Sequence, residues 1–170
     1  MNHTNVRVLD GGWQSWVAAG LPTSSGTEHR QARDFKGQPQ TSRLVVLDEV
    51  PEITELLDAR EAPRYRGEHE PIDPVAGHIP GAVNHCWRDN VGPDGHFLPA
   101  TALAEQLTRA LGRAPGAETT HYCGSGVSAC HNLLAQAIAG FEPARLYCGS
   151  WSEWCRDGER QVMMGTEREG

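Results

Sequence analysis

Short apolar runs alternate with longer stretches of helical periodicity along most of this chain. The runs that have the length of strands lie at residues 43–47, 55–59, 119–122 and 144–147. Leucines and alanines recur at helical spacing over residues 103–111 and 129–138. Short strands that alternate with helices predict an α/β fold, with a mainly parallel central sheet and helices on both faces. Ligands of such a fold bind at the carboxyl ends of the strands.

Two segments far apart in the chain share one pattern. Residues 10–16 read Asp-Gly-Gly-Trp-Gln-Ser-Trp, and residues 148–154 read Cys-Gly-Ser-Trp-Ser-Glu-Trp. Each follows a short apolar run that we expect to be a strand, at residues 6–9 and 144–147. Two such short matches can arise by chance, but the spacing is about one domain length. We therefore interpret them as the ends of two copies of one module.

This interpretation divides the chain into three parts. Residues 1–20 would be the C-terminal remnant of a first module, and residues 43–170 would be a complete second module. Residues 21–42 are rich in Pro, Gly, Ser and Thr and nearly free of apolar side chains, which predicts a linker. Trp13 and Val17 would lack their own domain to pack against, so we expect residues 1–20 to be poorly anchored or to dock non-natively.

Charge and cysteine content exclude several classes of protein. The chain has 15 Lys and Arg residues, 22 Asp and Glu residues and a net charge of −7. A nucleic-acid partner is therefore not expected, because phosphates need a basic surface. No apolar run approaches the ~20 residues that span a bilayer, and residues 1–9 contain no apolar signal core,. Five cysteines, an odd number, favour a reduced, cytoplasmic protein in which a special cysteine is reactive.

The most informative segment joins the third predicted strand to the second predicted helix. Residues 121–129 read His-Tyr-Cys-Gly-Ser-Gly-Val-Ser-Ala, so the strand ends at Cys123 and the helix begins near Val127. Glycines let the backbone curl and turn its N–H groups inward as an anion-binding nest, to which the helix N-terminus adds positive potential. We expect Cys123 to be a thiolate, the nucleophilic form, near neutral pH. A cysteine that follows a strand can also be a core residue.

Two rival chemistries are disfavoured by spacing. A cysteine phosphatase needs an arginine six residues after the nucleophile to grip phosphate, and Ala129 stands there. A zinc site needs closely spaced cysteines or histidine pairs. The gap from Cys123 to Cys130 and the gap from Cys148 to Cys155 are both six residues, so we predict no metal and no cofactor.

Several motifs, in order along the chain, resemble the C-terminal, catalytic half of two-domain rhodanese-type sulfurtransferases. The matching stretches are Leu-Asp-Ala-Arg at 57–60, Arg-Tyr-Arg-Gly-Glu at 64–68, Gly-His-Ile-Pro-Gly-Ala-Val-Asn at 77–84, the loop at 123–129 and Gly-Ser-Trp-Ser-Glu-Trp at 149–154. Residues 8–22 resemble the end of the family's first domain. The resemblance implies a rhodanese-like domain in an N-terminally truncated chain.

The loop itself resembles that of 3-mercaptopyruvate sulfurtransferases. Gly124 and Ser125 stand where thiosulfate-preferring members carry basic residues. The resemblance implies a ping-pong reaction: Cys123 takes sulfur from 3-mercaptopyruvate, or thiosulfate, as a persulfide and passes it to cyanide, a low-molecular-weight thiol or thioredoxin. The main-chain N–H groups expected to hold the sulfur belong to Gly124, Ser125, Gly126, Val127, Ser128 and Ala129.

The resemblance also implies roles for helper residues. Ser125 would hydrogen-bond the reacting sulfur or relay a proton, and Arg64 would bind the donor carboxylate, with Arg66 as a weaker second cation. The chain departs from the family where Ile72 replaces a second carboxylate-binding arginine, and where the first domain would add polar residues to the site. A non-catalytic or weakly active module that carries persulfide or binds a partner is therefore the alternative.

Other conspicuous residues have structural interpretations. Asp58 and Arg60 are expected to pair at a strand end, and His78 to stabilise a turn. Cys130 is not expected to be a resolving thiol. Three other cysteines, Cys86, Cys148 and Cys155, and the two tryptophans Trp151 and Trp154 receive no chemical role, the tryptophans being assigned to helix packing.

Overall fold

The computed structural model describes residues 5–166. The elements, in chain order, are α1 (Gly12–Ala18), β1 (Leu44–Val45), β2 (Leu56–Asp58), α2 (Ala62–Tyr65), β3 (Val83–Asn84), α3 (Ala100–Leu111), β4 (Thr120–Tyr122), α4 (Val127–Ile138), β5 (Arg145–Tyr147) and α5 (Ser150–Trp154). Short 3-10 turns lie at Thr41–Arg43, Leu47–Glu52 and Trp87–Asn90.

The five strands form one sheet in the order β1-β5-β4-β2-β3. All four strand pairs in it are parallel, so the predicted α/β architecture is confirmed. Strand β4 lies at the centre between β2 and β5, and its residues are fully buried. The loop after β4 therefore leaves the middle of the sheet at its carboxyl edge.

Neighbouring leucines of β2 supply opposite faces of the sheet. Leu56 packs into a large cluster that includes Tyr122 and Trp151, whereas Leu57 packs with Val83 and Leu107. This alternation follows from the two-residue period of a strand. A sheet that buries both faces holds its central strands rigidly, and the ends of β2, β4 and β5 form the platform of the site described below.

The two long helices end as their sequences predict. Helix α3 follows Pro99 and ends before Gly112, whose φ is 80°. Helix α4 is followed by Gly140, with a φ of 84°. Glycine suits both positions because residues with a side chain rarely adopt a positive φ.

The buried face of α4 differs from the expected apolar stripe. Asn132 and Gln136 are fully buried, whereas Ile138 is 37% exposed. The buried amides are satisfied by hydrogen bonds: Asn132 donates to the carbonyl of His85, and Gln136 Oε1 accepts from Nε2 of His121 at 2.9 Å. Hydrogen bonds that offset the cost of burying an amide allow a polar helix face to pack against the sheet. The spacing of apolar residues alone therefore predicted the wrong buried face for α4.

The N-terminal segment attaches through a few polar contacts. Residues 6–9, expected to be a strand, have no regular secondary structure, because no strand among residues 5–166 pairs with them. Asp10 accepts the Phe97 N–H at 2.9 Å, while Trp13 stays 65% exposed. Residues 21–40 contain no helix or strand. Residues 1–4 and 167–170 of the predicted first and third parts lie outside the described residues, and the domain boundaries remain predictions.

Within residues 5–166, no helix combines the length and the apolar character that crossing a bilayer requires.

Candidate active site

Cys123 lies directly after β4, at the carboxyl edge of the sheet. Its side chain packs with Ala59 and Ala129, and the residue is 2% exposed. Its main chain is held on both sides by the α5 segment: the N–H donates to Ser150 Oγ at 3.1 Å, and the carbonyl accepts the Trp151 N–H at 3.0 Å. The thiol is thus at the end of a rigid central strand, in a fixed backbone frame.

The loop after Cys123 closes tightly against the end of β5. Gly126, which precedes α4, has a φ of 81°, and a methyl group there would lie 2.8 Å from the Cys148 carbonyl oxygen. Only glycine satisfies both the positive φ and this close approach. The predicted sharp turn from β4 into α4 therefore depends on this one position.

Several main-chain N–H groups of the loop are available as hydrogen-bond donors. Among the described residues, no acceptor faces the N–H groups of residues 124–128. Unpaired N–H groups at the start of a helix of this length attract anions. The loop thus has the hydrogen-bonding capacity that a negatively charged sulfur next to Cys123 requires.

The remaining loop residues divide between rim and interior. Ser125 and Val127 are exposed, with Val127 at 76%. Ser128 is half-buried, and Ala129 is fully buried beneath the cysteine. The predicted helper Ser125 therefore lies at the outer edge of the loop, where a reactant can contact its hydroxyl.

Arg64 lies beside the loop. A methyl group at Gly124 would be 3.5 Å from its Nη1 atom. Its Nη2 atom lies 2.6 Å from Glu70 and 3.3 Å from Asp73. Burial opposes ionisation of Glu70, but hydrogen bonds from Arg64 and from two main-chain N–H groups hold its pKa below the ordinary value. The guanidinium is therefore oriented by two carboxylates and faces the cysteine loop.

Arg66 is not brought to the loop in the same way. Its guanidinium pairs with Glu68 at 2.7 Å, and its side chain lines a cavity with Val83, Asn84 and Thr166. Ile72, at the position of the expected second arginine, is 73% exposed. Of the two arginines that the sequence suggests as carboxylate-binding residues, Arg64 lies at the loop in the described structure and Arg66 does not.

A buried ion pair supports the site from below. Arg60 binds Asp58 through Nε and Nη2, and its Nη2 atom also donates to the Gly77 carbonyl at 2.7 Å. The guanidinium lies 4.7 Å from the centroid of the Trp151 ring, a cation–π contact,. Burial opposes the charge, but the carboxylate of Asp58 raises the pKa of Arg60. The expected pairing is present, and it ties the end of β2 to α5.

The histidine of the predicted turn has a packing role. His78 is 1% exposed, its Nδ1 lies 2.8 Å from the Tyr65 carbonyl, and its ring stacks on Tyr65. Burial lowers its pKa. A neutral, enclosed imidazole with these partners stabilises the turn, as the sequence indicates.

Sequence reasoning missed Ser150. This residue is fully buried and has a φ of 57°, the only positive φ among the described residues other than glycine. Its hydroxyl accepts the Cys123 N–H and donates to the Tyr147 carbonyl at 2.9 Å. Backbone strain in a buried residue that holds a nucleophile is typical of functional sites. The repeated motif of a glycine, a small residue and a tryptophan includes Ser150 and indicates a turn there. It does not indicate that the Ser150 hydroxyl binds the main chain of Cys123.

Comparison with known proteins places this geometry in context. Residues 42–157 match the model of the rhodanese-like domain. The chain is 49% identical over 166 residues to a probable 3-mercaptopyruvate sulfurtransferase of Pseudomonas aeruginosa, a match that covers 94% of this chain and 58% of that protein. It is 41% identical over 170 residues to a putative thiosulfate sulfurtransferase of Mycobacterium tuberculosis, again over 95% of this chain and 58% of that protein. The chain thus spans a little over half the length of these curated relatives.

Solved structures share the fold. A variant of the enzyme EanB that carries a cysteine persulfide, in an intermediate state with ergothioneine, aligns with a TM-score of 0.82 and 25% identity. The alignment covers 95% of this chain and 42% of that one. The sheet and the loop at its carboxyl edge therefore belong to an architecture found in solved proteins.

Proposed function

Since this chain belongs to the rhodanese-like domain family, we propose that it carries the catalytic cysteine of a sulfurtransferase that uses 3-mercaptopyruvate as sulfur donor. The observation that carries the proposal is the position of Cys123, at the end of the central strand and at the start of a loop whose N–H groups at residues 124–128 have no acceptor within residues 5–166. The identity to the Pseudomonas relative supports the choice of donor. Thiosulfate is the second donor to be compared, because the Mycobacterium relative is named for it.

The proposed reaction proceeds in two halves. The Cys123 thiolate attacks the sulfur of 3-mercaptopyruvate, the carbon–sulfur bond breaks, and its electron pair leaves with pyruvate as the enolate, which takes up a proton. Cys123 then holds a persulfide, whose outer sulfur is removed by cyanide, a low-molecular-weight thiol or thioredoxin. Because the cycle needs Cys123 reduced, the cytoplasm remains the predicted compartment.

The loop residues have distinct proposed roles in this cycle. The N–H groups of residues 124–129 stabilise negative charge on the transferred sulfur. Gly124 and Gly126 allow the loop to approach that sulfur closely, since neither has a side chain. Ser125, exposed at the rim, donates its hydroxyl proton to the sulfur or relays a proton to the enolate.

The donor supplies a carboxylate that a cation must recognise. Arg64 lies next to Gly124 and has a guanidinium fork that matches a carboxylate,. Glu70 and Asp73 already contact that guanidinium, so the donor carboxylate would take a position on its remaining N–H groups. Arg66 is the weaker candidate because its side chain lines a cavity with Val83, Asn84 and Thr166, whereas Arg64 lies next to Gly124 of the loop.

Arg64→Ala is expected to raise the KM for 3-mercaptopyruvate. A hydrogen bond to a charged group contributes ~1.5–3 kcal/mol, which corresponds to roughly a 10- to 150-fold change. Arg64→Lys, which keeps the charge and loses the fork, is expected to recover only part of the effect. Steady-state kinetics of both variants and of Arg66→Ala would check the assignment, and a larger KM increase in Arg66→Ala than in Arg64→Ala would contradict it.

The proposed function is tested by incubating the protein with 3-mercaptopyruvate and measuring both its mass and the pyruvate released. We expect an increase of about 32 Da on Cys123, the mass of one sulfur atom, and many equivalents of pyruvate when a thiol acceptor is present. Release of a single equivalent would instead identify the chain as a persulfide carrier. An unchanged mass with both 3-mercaptopyruvate and thiosulfate, in a folded protein, would refute sulfur transfer.

A further inference from the structure

Two exposed thiols lie next to the cysteine loop, and the proposed cycle uses neither. Cys130 is on α4, and Cys148 follows β5, whereas Cys123 is buried. We propose that Cys148 receives the sulfane sulfur from Cys123 and presents it at the protein surface as a second persulfide site. This inference rests on the proposed function, because it needs a persulfide on Cys123.

Strand register places Cys148 beside Cys123. In the parallel ladder between β4 and β5, His121 lies opposite Leu146. Cys123 and Cys148 each lie two residues after this pair and directly after the last residue of their strand. Neighbouring strands in a sheet are ~4.8 Å apart, so the two cysteines leave the carboxyl edge of the sheet side by side.

Contacts beyond the strands keep the two segments together. The Gly124 carbonyl accepts the Ser152 N–H at 2.9 Å, in addition to the bonds between Cys123 and the α5 segment described above. A methyl group on Gly126 would lie 3.4 Å from the Cys148 Cα atom. The main chain of Cys148 is therefore in direct contact with the loop that would hold the persulfide.

Cys130 is a less suitable receiver. Its thiol donates to the Gly126 carbonyl at 3.3 Å. Burial raises its pKa, and negative charge on Cys123 and on Cys148 raises it further. A protonated, hydrogen-bonded thiol is a poor nucleophile.

Cys123 and Cys148 differ in their exposure to solvent, and this difference decides which acceptors can reach each sulfur. Cys123 is 2% exposed, so a bulky thiol acceptor cannot approach its persulfide as closely as a small one. The Cys148 side chain is accessible from solvent. A persulfide on Cys148 would be open to a macromolecular thiol acceptor without any opening of the loop.

The transfer conserves atoms and electrons. The Cys148 thiolate attacks the outer sulfur of the Cys123 persulfide, and a new sulfur–sulfur bond forms as the old one breaks. The electron pair of the broken bond stays with Cys123, which leaves as a thiolate, and the transferred sulfur keeps its proton. No oxidant or reductant is consumed. The N–H groups of residues 124–128, for which residues 5–166 offer no acceptor, favour this step because they stabilise the leaving thiolate,.

The experiment locates the sulfur after loading. The protein is incubated with 3-mercaptopyruvate without acceptor, alkylated, and digested with trypsin. Cleavage after Arg145 and Arg156 leaves Cys148 and Cys155 on one peptide, so the buried Cys155, 6% exposed, is an internal control. We expect added sulfur on Cys148 at about one tenth or more of the Cys123 level, since exchange between ordinary thiols is nearly balanced, and none on Cys155.

Variants separate the possible origins of that sulfur. Cys130→Ser is expected to retain the signal on Cys148, and Cys123→Ser to lose it. A mixture of loaded Cys148→Ser protein with Cys123→Ser protein is expected to leave Cys148 of the second protein unmodified, because transfer occurs within one chain.

Each other result overturns the relay. Sulfur on Cys123 but not on Cys148 contradicts it and leaves the proposed function intact. Sulfur on Cys148 in Cys123→Ser, or in the mixture, shows a direct or intermolecular route. A disulfide between Cys123 and Cys148 shows attack on the inner sulfur instead. Absence of sulfur from every cysteine refutes both the relay and the proposed function.

Discussion

Cys123→Ser is expected to reduce pyruvate release from 3-mercaptopyruvate by at least about 10³-fold, because a serine hydroxyl is neither ionised at neutral pH nor nucleophilic toward sulfur. The substitution replaces one sulfur atom by oxygen in a residue whose backbone is fixed by Ser150 and Trp151. The fold should therefore persist while the chemistry is lost. Steady-state pyruvate release and the intact mass after incubation with donor measure the effect.

Cys86→Ser is the matched control for this loss. Cys86 is a partly buried thiol whose pKa is raised by burial, and it has no place in the proposed cycle. Its replacement is expected to leave turnover within about a factor of two, in line with a substitution away from functional features. If Cys123→Ser kept a substantial fraction of the wild-type rate, another residue would have to be the nucleophile.

The second large effect is on stability. Arg60→Met is expected to lower the free energy of unfolding by about 3–5 kcal/mol, because it leaves the fully buried Asp58 carboxylate without its cation,. The loss would also remove the donor to the Gly77 carbonyl and the contact with the Trp151 ring. Urea unfolding at neutral pH, followed by tryptophan fluorescence, gives the measurement.

Two variants show whether the isolated charge is the cause. Arg88→Met breaks an ion pair with Glu61 in which Arg88 is 65% exposed, and it should cost less than about 1 kcal/mol. The double variant Asp58→Asn/Arg60→Met removes both charges and is expected to be more stable than Arg60→Met alone. A double variant that is no more stable than Arg60→Met would show that packing of the arginine, rather than the unpaired carboxylate, accounts for the loss.

Local patterns in the sequence predicted most of the fold. The helix after Pro99 ends before Gly112, and the strand that leads to Cys123 is the centre of a parallel sheet. The position of the loop at the carboxyl edge followed from the α/β pattern. These features depend on backbone propensities and on the period of apolar residues, which can be read over a few neighbouring positions.

The sequence-based predictions were wrong where the outcome depends on residues far away in the chain. Asn132 and Gln136 are buried because partners from other elements complete their hydrogen bonds. Residues 6–9 have the composition of a strand but find no neighbouring strand within residues 5–166. A propensity becomes a strand only where a second strand supplies the hydrogen bonds.

The sequence by itself determined the fold class, the candidate nucleophile and the glycine loop around it, because each depends on residues close together in the chain. Only the tertiary structure decided that Ser150 holds Cys123, that Arg64 rather than Arg66 lies at the loop, and that Cys148 lies beside Cys123. The physical reason is that these relations depend on strand register and on contacts between β4, α2 and the end of β5, which no local pattern encodes.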